Sequence, residues 1–210
     1  MSSRMKNIAH ELIHHLPYSV LGVAAALGIL LGVERMNLWN RPWEEFHLAH
    51  PLHLFLSSLV TSAMFWKYGR SLFKGVVVGL LGSIPICTIS DIFFPFFGSK
   101  IFQSSVPFHF CLIAEPGLIL SATILGIVVG HFLIPWVYLL TRVTHMMHVL
   151  VSSLASMLYL VLFIPSLWQE HLLAVFLITV LAVWIPCCLS DIVFPLMFTG
   201  SDKPGCVHCH

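Results

Sequence analysis

Long apolar runs separated by short polar stretches dominate the chain. Residues 16–33 and 116–137 carry no Lys, Arg, Asp or Glu, and 75–98 and 172–197 carry one each, Asp91 and Asp191. Shorter apolar runs, 51–66 and 146–168, fill the gaps. Crossing a bilayer as a helix takes about 17–25 such residues. The pattern therefore predicts six spans, at 16–33, 49–66, 75–97, 113–138, 146–166 and 172–197. The stretch 108–141 is long enough to bend at Pro116 or Pro135 before it crosses. A transmembrane β-barrel would alternate apolar and polar residues, and these runs do not. The expected fold is all-α: a polytopic membrane helix bundle.

Composition agrees. The 210 residues are 58% hydrophobic and 9% charged, with mean hydropathy +0.94, whereas a soluble domain carries about 25% charged residues. The bilayer is the first expected partner. A formal net charge of +1 with scattered basic residues argues against a nucleic-acid partner. Arg4, Lys6, Lys67, Arg70, Lys74, Arg142 and Lys203 would lie on one side of the membrane, and Arg35, Arg41 and Lys100 on the other. This bias places both termini in the cytoplasm of a plasma or inner membrane. No small-x-small cleavage site promptly follows the first span.

The polar positions repeat. His50-Pro-Leu-His53-Leu-Phe-Leu-Ser57-Ser58-Leu matches His145-Met-Met-His148-Val-Leu-Val-Ser152-Ser153-Leu at an offset of 95. Further on, Ile84-Pro85-Ile-Cys87-Thr-Ile-Ser90-Asp91-Ile-Phe-Phe-Pro95 matches Ile185-Pro186-Cys187-Cys188-Leu-Ser190-Asp191-Ile-Val-Phe-Pro195 with one residue deleted. A weaker match pairs Leu27-Gly28-Ile-Leu-Leu-Gly32 with Leu125-Gly126-Ile-Val-Val-Gly130. The order is conserved between the halves, which reads as a duplication: a three-helix repeat over 1–98, a linker over 99–107, a second repeat over 108–200 and a Cys/His-containing tail over 201–210. Three spans per repeat would invert the second repeat relative to the first, an arrangement common in secondary transporters.

A carboxylate inside an apolar span is costly and usually faces a functional interior. Asp91 and Asp191 are flanked by Pro85, Pro95, Pro186 and Pro195, which predicts kinked or broken third and sixth helices. His50 with His53, and His145 with His148, are spaced to share one helix face. Imidazole and carboxylate are ligands for divalent transition metals. Topology groups His50, His53 and Asp91, with Glu115 nearby, and separately His145, His148 and Asp191, with His14 and His15 nearby. Whether the two groups meet depends on where the helices break. Ser57, Ser58, Ser152 and Ser153 read as packing residues, as do Gly28, Gly32, Gly75, Gly79, Gly82, Gly126 and Gly130. Cys206, His208, Cys209 and His210 crowd the tail with soft or borderline ligands. Cys87, Cys187 and Cys188 suit a small buried hydrophobe and a ligand equally.

Two patterns point to enzymes. His10-Glu11-Leu-Ile-His14 is a literal His-Glu-x-x-His zinc-peptidase motif that lacks a third ligand. His10-x-x-x-His14-His15 resembles one histidine box of membrane-bound di-iron desaturases and hydroxylases. That resemblance implies further boxes on the same face, and His47-x-x-His50-x-x-His53 and His145-x-x-His148 lack the adjacent His-His pair. The leading reading is a permease that moves a divalent ion (zinc, manganese, iron, cobalt or nickel) by alternating access, with protons as a coupling ion. The rivals are an intramembrane metalloenzyme, a non-metal solute permease and a scaffold subunit. A homo-oligomer is compatible with each.

Overall fold

The computed structural model describes residues 3–36, 38, 42–102, 108–134, 141–163 and 168–199. Every described element is helical. α1 is Ser3–Arg35 and α2 is Pro42–Tyr68. α3 runs Leu72–Thr88, continues through a π-helical turn, Ile89–Phe93, and ends as Phe94–Lys100. α4 is the single turn Cys111–Ala114, and α5 is Pro116–Phe132. α6 is Thr141–Phe163. α7 runs Leu172–Cys188, through a second π-helical turn, Leu189–Val193, into Phe194–Met197.

Five stretches are long and apolar enough to span a membrane: Leu12–Arg35, Trp43–Tyr68, Leu72–Lys100, His145–Leu162 and Leu172–Asp191. The fourth expected span, 113–138, is shorter. The chain breaks at Glu115 and Pro116 starts α5, which holds 17 residues. Pro116 suits that position because it lacks the N–H that a first turn leaves unpaired. Leu21, Ile29, Leu81, Ile124, Leu125, Leu177 and Leu181 are exposed on the outside of the bundle. This is the surface that hydrocarbon solvates at no cost and water does not.

α2 and α6 form the centre; the apolar stretch of each is mostly buried, whereas that of α1 is mostly not. They run antiparallel. The Phe46 ring meets Tyr159 at 5.1 Å and the His53 ring meets His148 at 4.6 Å, so positions rise on one helix as they fall on the other. α1 lies along α6, with Gly22 against Val149. α5 lies along α2, where a side chain on Gly126 would strike the Phe55 carbonyl and one on Gly130 the Leu59 carbonyl. α3 and α7 are also antiparallel, with Gly98 against Ile178 and Gly82 against Phe194. One packing expectation is corrected here: Gly28 and Gly32 have no neighbour within 4 Å at the Cβ position. α1 instead buries Val23, Ala26 and Leu30.

The two π-helical turns sit at the aspartates. Phe94 N–H bonds the Ile89 carbonyl and Phe194 N–H bonds the Leu189 carbonyl, each five residues back. Pro95 and Pro195 come next and have no N–H to offer the Asp91 and Asp191 carbonyls. The wider turn accommodates that missing bond. It also rotates Ser90 and Asp91, and Ser190 and Asp191, into the bundle, where all four are buried.

Candidate metal centre

Each aspartate holds two histidines from the helix it faces. His50 and His53, one turn apart on α2, both donate from Nδ1 to Asp91 Oδ2, at 2.8 and 2.7 Å. His145 and His148 on α6 do the same to Asp191 Oδ2, at 3.2 and 2.7 Å. Among the described residues, His50 and His53 pair with Asp91, and His145 and His148 pair with Asp191. The expectation left open whether the two groups meet. They do, through the second histidine of each: His53 Nε2 and His148 Nε2 are 2.6 Å apart.

That contact has a chemical consequence. With Nδ1–H donated to a carboxylate, a neutral imidazole presents a lone pair at Nε2. Two lone pairs at 2.6 Å repel unless a proton lies between them, and a proton there makes the contact a charge-assisted hydrogen bond. Sulfur surrounds the same point. Cys87 Sγ is 3.6 Å and Cys187 Sγ 3.9 Å from His53 Nε2, and the ligand atoms of His53, Cys87 and His148 all lie within 4.8 Å of one another. All four residues are buried and neither cysteine is in a disulfide. Two imidazole nitrogens and the Cys87 sulfur, with Cys187 Sγ beside His53 but outside that group of three, are donor types that a zinc-type ion takes. The aspartates stand behind the imidazoles, on Nδ1, where an outer-shell carboxylate orients a metal-binding histidine.

A hydroxyl layer lies one turn deeper. Ser57 Oγ meets Ser190 Oγ at 2.8 Å and Ser152 Oγ meets Ser90 Oγ at 3.4 Å. Thr61 Oγ1 donates to the Ser190 carbonyl at 3.1 Å, and Ser156 Oγ donates to the Ser90 carbonyl at 3.0 Å. Positions offset by 95 on α2 and α6 thus meet positions offset by 100 on α3 and α7. Ser58 and Ser153 bond backbone carbonyls, of Thr123 at 3.0 Å and Val149 at 2.7 Å respectively. Ser152 also donates to Asp91 Oδ1, at 3.2 Å, so it belongs to the carboxylate cage as well as to the packing.

The remaining candidates separate. The His15 ring lies 4.6 Å from His145, at the Asp191 side, and His14 is an exposed neighbour of His15 at 5.9 Å. Glu115 is at the opposite end, 3.8 Å from His47 Nε2, and sits with His47 and His109 rather than with Asp91. Cys206, His208, Cys209 and His210 lie outside the described residues, as do the side chains of His10 and Glu11. The sequence reading had not assigned His109 or Cys111. The ligand atoms of His47, His109 and Cys111 lie within 4.8 Å of one another. Burial, helped by the adjacent His47, holds His109 below the ordinary imidazole range, and burial pushes the Cys111 thiol up to about 12. No spacing motif links these residues. The signal for Cys87 and Cys187 was present, since both fall inside the repeated Ile-Pro…Ser-Asp segment.

Comparison with protein-family profiles, with curated proteins and with solved structures finds no match.

Proposed function

We propose that the protein is a membrane permease for a divalent transition-metal ion of the zinc type, exchanged against protons. The observation that carries this reading is the His53–His148 contact, with Asp91 and Asp191 behind it and Cys87 beside it. A proton and a metal ion compete there for the same two lone pairs. Tetrahedral bonds of about 2.0–2.1 Å to nitrogen would set the two Nε2 atoms about 3.3 Å apart. The ion therefore needs the central helices to part by less than about 1 Å, and the shared proton draws them together again. Soft sulfur donors favour zinc, cobalt or nickel over manganese. Binding of a divalent ion would displace the one proton shared by His53 and His148 and the thiol proton of Cys87, so two protons leave as one doubly charged ion enters and the net charge of the site is unchanged.

Translocation rather than storage is supported by the line of imidazoles. His47, His50, His53, His148, His145, His15 and His14 follow one another along the antiparallel centre, and the shared pair stands in the middle. Alternating access would expose that pair first to the His47 end, then to the His15 end, by rocking two inverted three-helix repeats. The matching contacts at fixed offsets support the repeat. The Lys/Arg bias supports a cytoplasmic His15 end.

The test is zinc uptake by proteoliposomes with an internal pH dye. Zinc influx with about two protons moved outward per ion is expected, together with loss of both fluxes in His148→Gln. Proton movement without zinc flux, in a protein that calorimetry shows to bind no zinc, would overturn the metal reading. It would leave a proton relay serving another solute, the reading that the 2.6 Å contact supports without a metal.

A further inference from the structure

We propose that His47, His109 and Cys111, with Glu115 at the mouth, form a second transition-metal site at the Trp43 end of the bundle. The three donors arrive from two places in the chain. His47 is on the first turns of α2, His109 is on the segment leading into α4, and Cys111 is the first residue of α4. Their ligand atoms nevertheless converge within 4.8 Å. No helix period brings them together.

The site is built rather than incidental. His47 Nδ1 donates to the Trp43 carbonyl at 2.8 Å, which fixes the tautomer and leaves Nε2 as the lone-pair nitrogen. A backbone carbonyl on the far ring nitrogen is a standard way to orient a metal-binding histidine. His47 Nε2 and His109 Nε2 are both buried atoms without a hydrogen-bond partner. Two unsatisfied imidazole nitrogens beside a buried thiol await a ligand, because leaving such atoms unpaired costs free energy. The Trp43 ring packs on both imidazoles, at 4.4 and 4.6 Å, and holds them side by side. Tyr159 fixes the backbone of His109, accepting from its N–H at 3.2 Å and donating to its carbonyl at 3.4 Å.

Two nitrogens and one sulfur leave one tetrahedral position open. Open sites exchange ligands, whereas closed four-residue sites hold structural zinc. Glu115 is 46% exposed and 3.8 Å from His47 Nε2, so its carboxylate guards the open position from the solvent side. His47, His50 and His53 succeed one another at i, i+3 and i+6, which places His47 about 9 Å along the helix from the central pair. The site's existence does not depend on the central pair binding metal. Its use as a capture station does rest on the permease reading.

The experiment is a cobalt titration of the purified full-length protein, following the thiolate-to-cobalt absorption band and the bound stoichiometry. Wild type is expected to take two equivalents in the bundle, with any further equivalent held by the tail identified by its loss in the Cys206→Ser/Cys209→Ser double variant. Cys111→Ser and His109→Gln should each lose one equivalent and weaken binding at that site at least 10-fold. The Cys87→Ser/Cys187→Ser double variant should lose the other equivalent and keep the Cys111 band. His109 lies outside every helix, so His109→Gln tests the site without disturbing the bundle. Two equivalents retained with an unchanged band in both Cys111→Ser and His109→Gln would overturn the second site. One equivalent in wild type, unaffected by Cys111→Ser, would do so equally. One equivalent in wild type that Cys111→Ser abolishes would keep the second site and remove the central one.

Discussion

The two halves of the centre carry the same residues, yet they hold their carboxylates differently. Asp91 is saturated: His50 and His53 donate to Oδ2, and Ser90 and Ser152 donate to Oδ1 at 2.6 and 3.2 Å. Asp191 receives His148 at 2.7 Å and a longer bond from His145 at 3.2 Å, and its Oδ1 is buried without a hydrogen-bond partner. The difference arises in the hydroxyl layer. Ser90 turns to its own Asp91, whereas Ser190 turns to the Gly82 carbonyl at 2.8 Å. A saturated carboxylate anchors its histidines. An unsaturated one has a vacant acceptor for a proton or a cation, so exchange should enter through the Asp191 side.

The largest expected effect tests that contrast. Asp91→Ala removes the acceptor from four donors and should cost about 3–5 kcal/mol, the range for breaking a buried charged pair. Asp191→Ala strands two donors and relieves one orphaned oxygen, so it should cost less by about 1–3 kcal/mol. Both should weaken zinc binding about 10–100-fold, the usual price of losing the carboxylate behind a ligand histidine. Unfolding in mixed micelles reads the first quantity and calorimetry the second. Equal destabilisation by the two variants would mean that the asymmetry has no energetic content.

The next effect tests the packing that sets α2 against its neighbour. A Cβ on Gly126 points at the Phe55 carbonyl and Ser58 Oγ, and backbone cannot retreat as a flexible side chain can. Gly126→Ala should cost about 1–3 kcal/mol. Because Phe55 lies between His53 and Ser57, the same variant should shift zinc affinity. Unchanged affinity in a destabilised Gly126→Ala protein would show that the centre does not feel α5.

A smaller effect sharpens the contrast at the hydroxyls. Ser152→Ala removes a donor to a charged group and should cost about 1.5 kcal/mol, while Ser57→Ala breaks a neutral pair with Ser190 and should cost about 1 kcal/mol. Only Ser152→Ala should raise the pH at which zinc is released, because only it removes a donor from Asp91, leaving Oδ1 with Ser90 alone. Identical release profiles for the two variants would remove Ser152 from the carboxylate cage.

Much of this was legible in the sequence, for identifiable reasons. Uncharged runs of bilayer length read directly as spans, and α5 was harder because Pro116 shortens it. His50, His53, Asp91 and their partners at fixed offsets stood out because polar residues are costly in apolar runs. Their meeting at His53 and His148 was not legible. It depends on the antiparallel register of α2 and α6 and on π-helical turns that advance Asp91 and Asp191 into the bundle, and neither follows from i, i+3 spacing. Cys87 and Cys187 were ambiguous because a thiol packs as a small hydrophobe until a nitrogen is placed beside it. The His47 site was hidden because His109 and Cys111, although only two residues apart, lie more than sixty residues from His47. The glycines shared one reading, although Gly126 touches a backbone carbonyl and Gly28 touches nothing within 4 Å.

That last contrast yields the smallest effect and the only favourable one. Gly28 and Gly126 occupy matching places in Leu-Gly-Ile-x-x-Gly segments. If the match had carried over to packing, alanine would be equally harmful at both. Gly28 lies in the middle of α1 with open space at its Cβ position and is itself exposed. Alanine there clashes with nothing and loses less backbone entropy on folding than glycine does. Gly28→Ala should therefore stabilise the protein, by about 0.5–1 kcal/mol, and leave zinc affinity and transport rate at their wild-type values. The measurement is the mixed-micelle unfolding midpoint beside that of Gly126→Ala, which should move the opposite way. A loss of stability at Gly28 would reveal a surface on α1 that something covers, such as a second copy of the chain. Cross-linking through Gly28→Cys would then show whether two copies meet there.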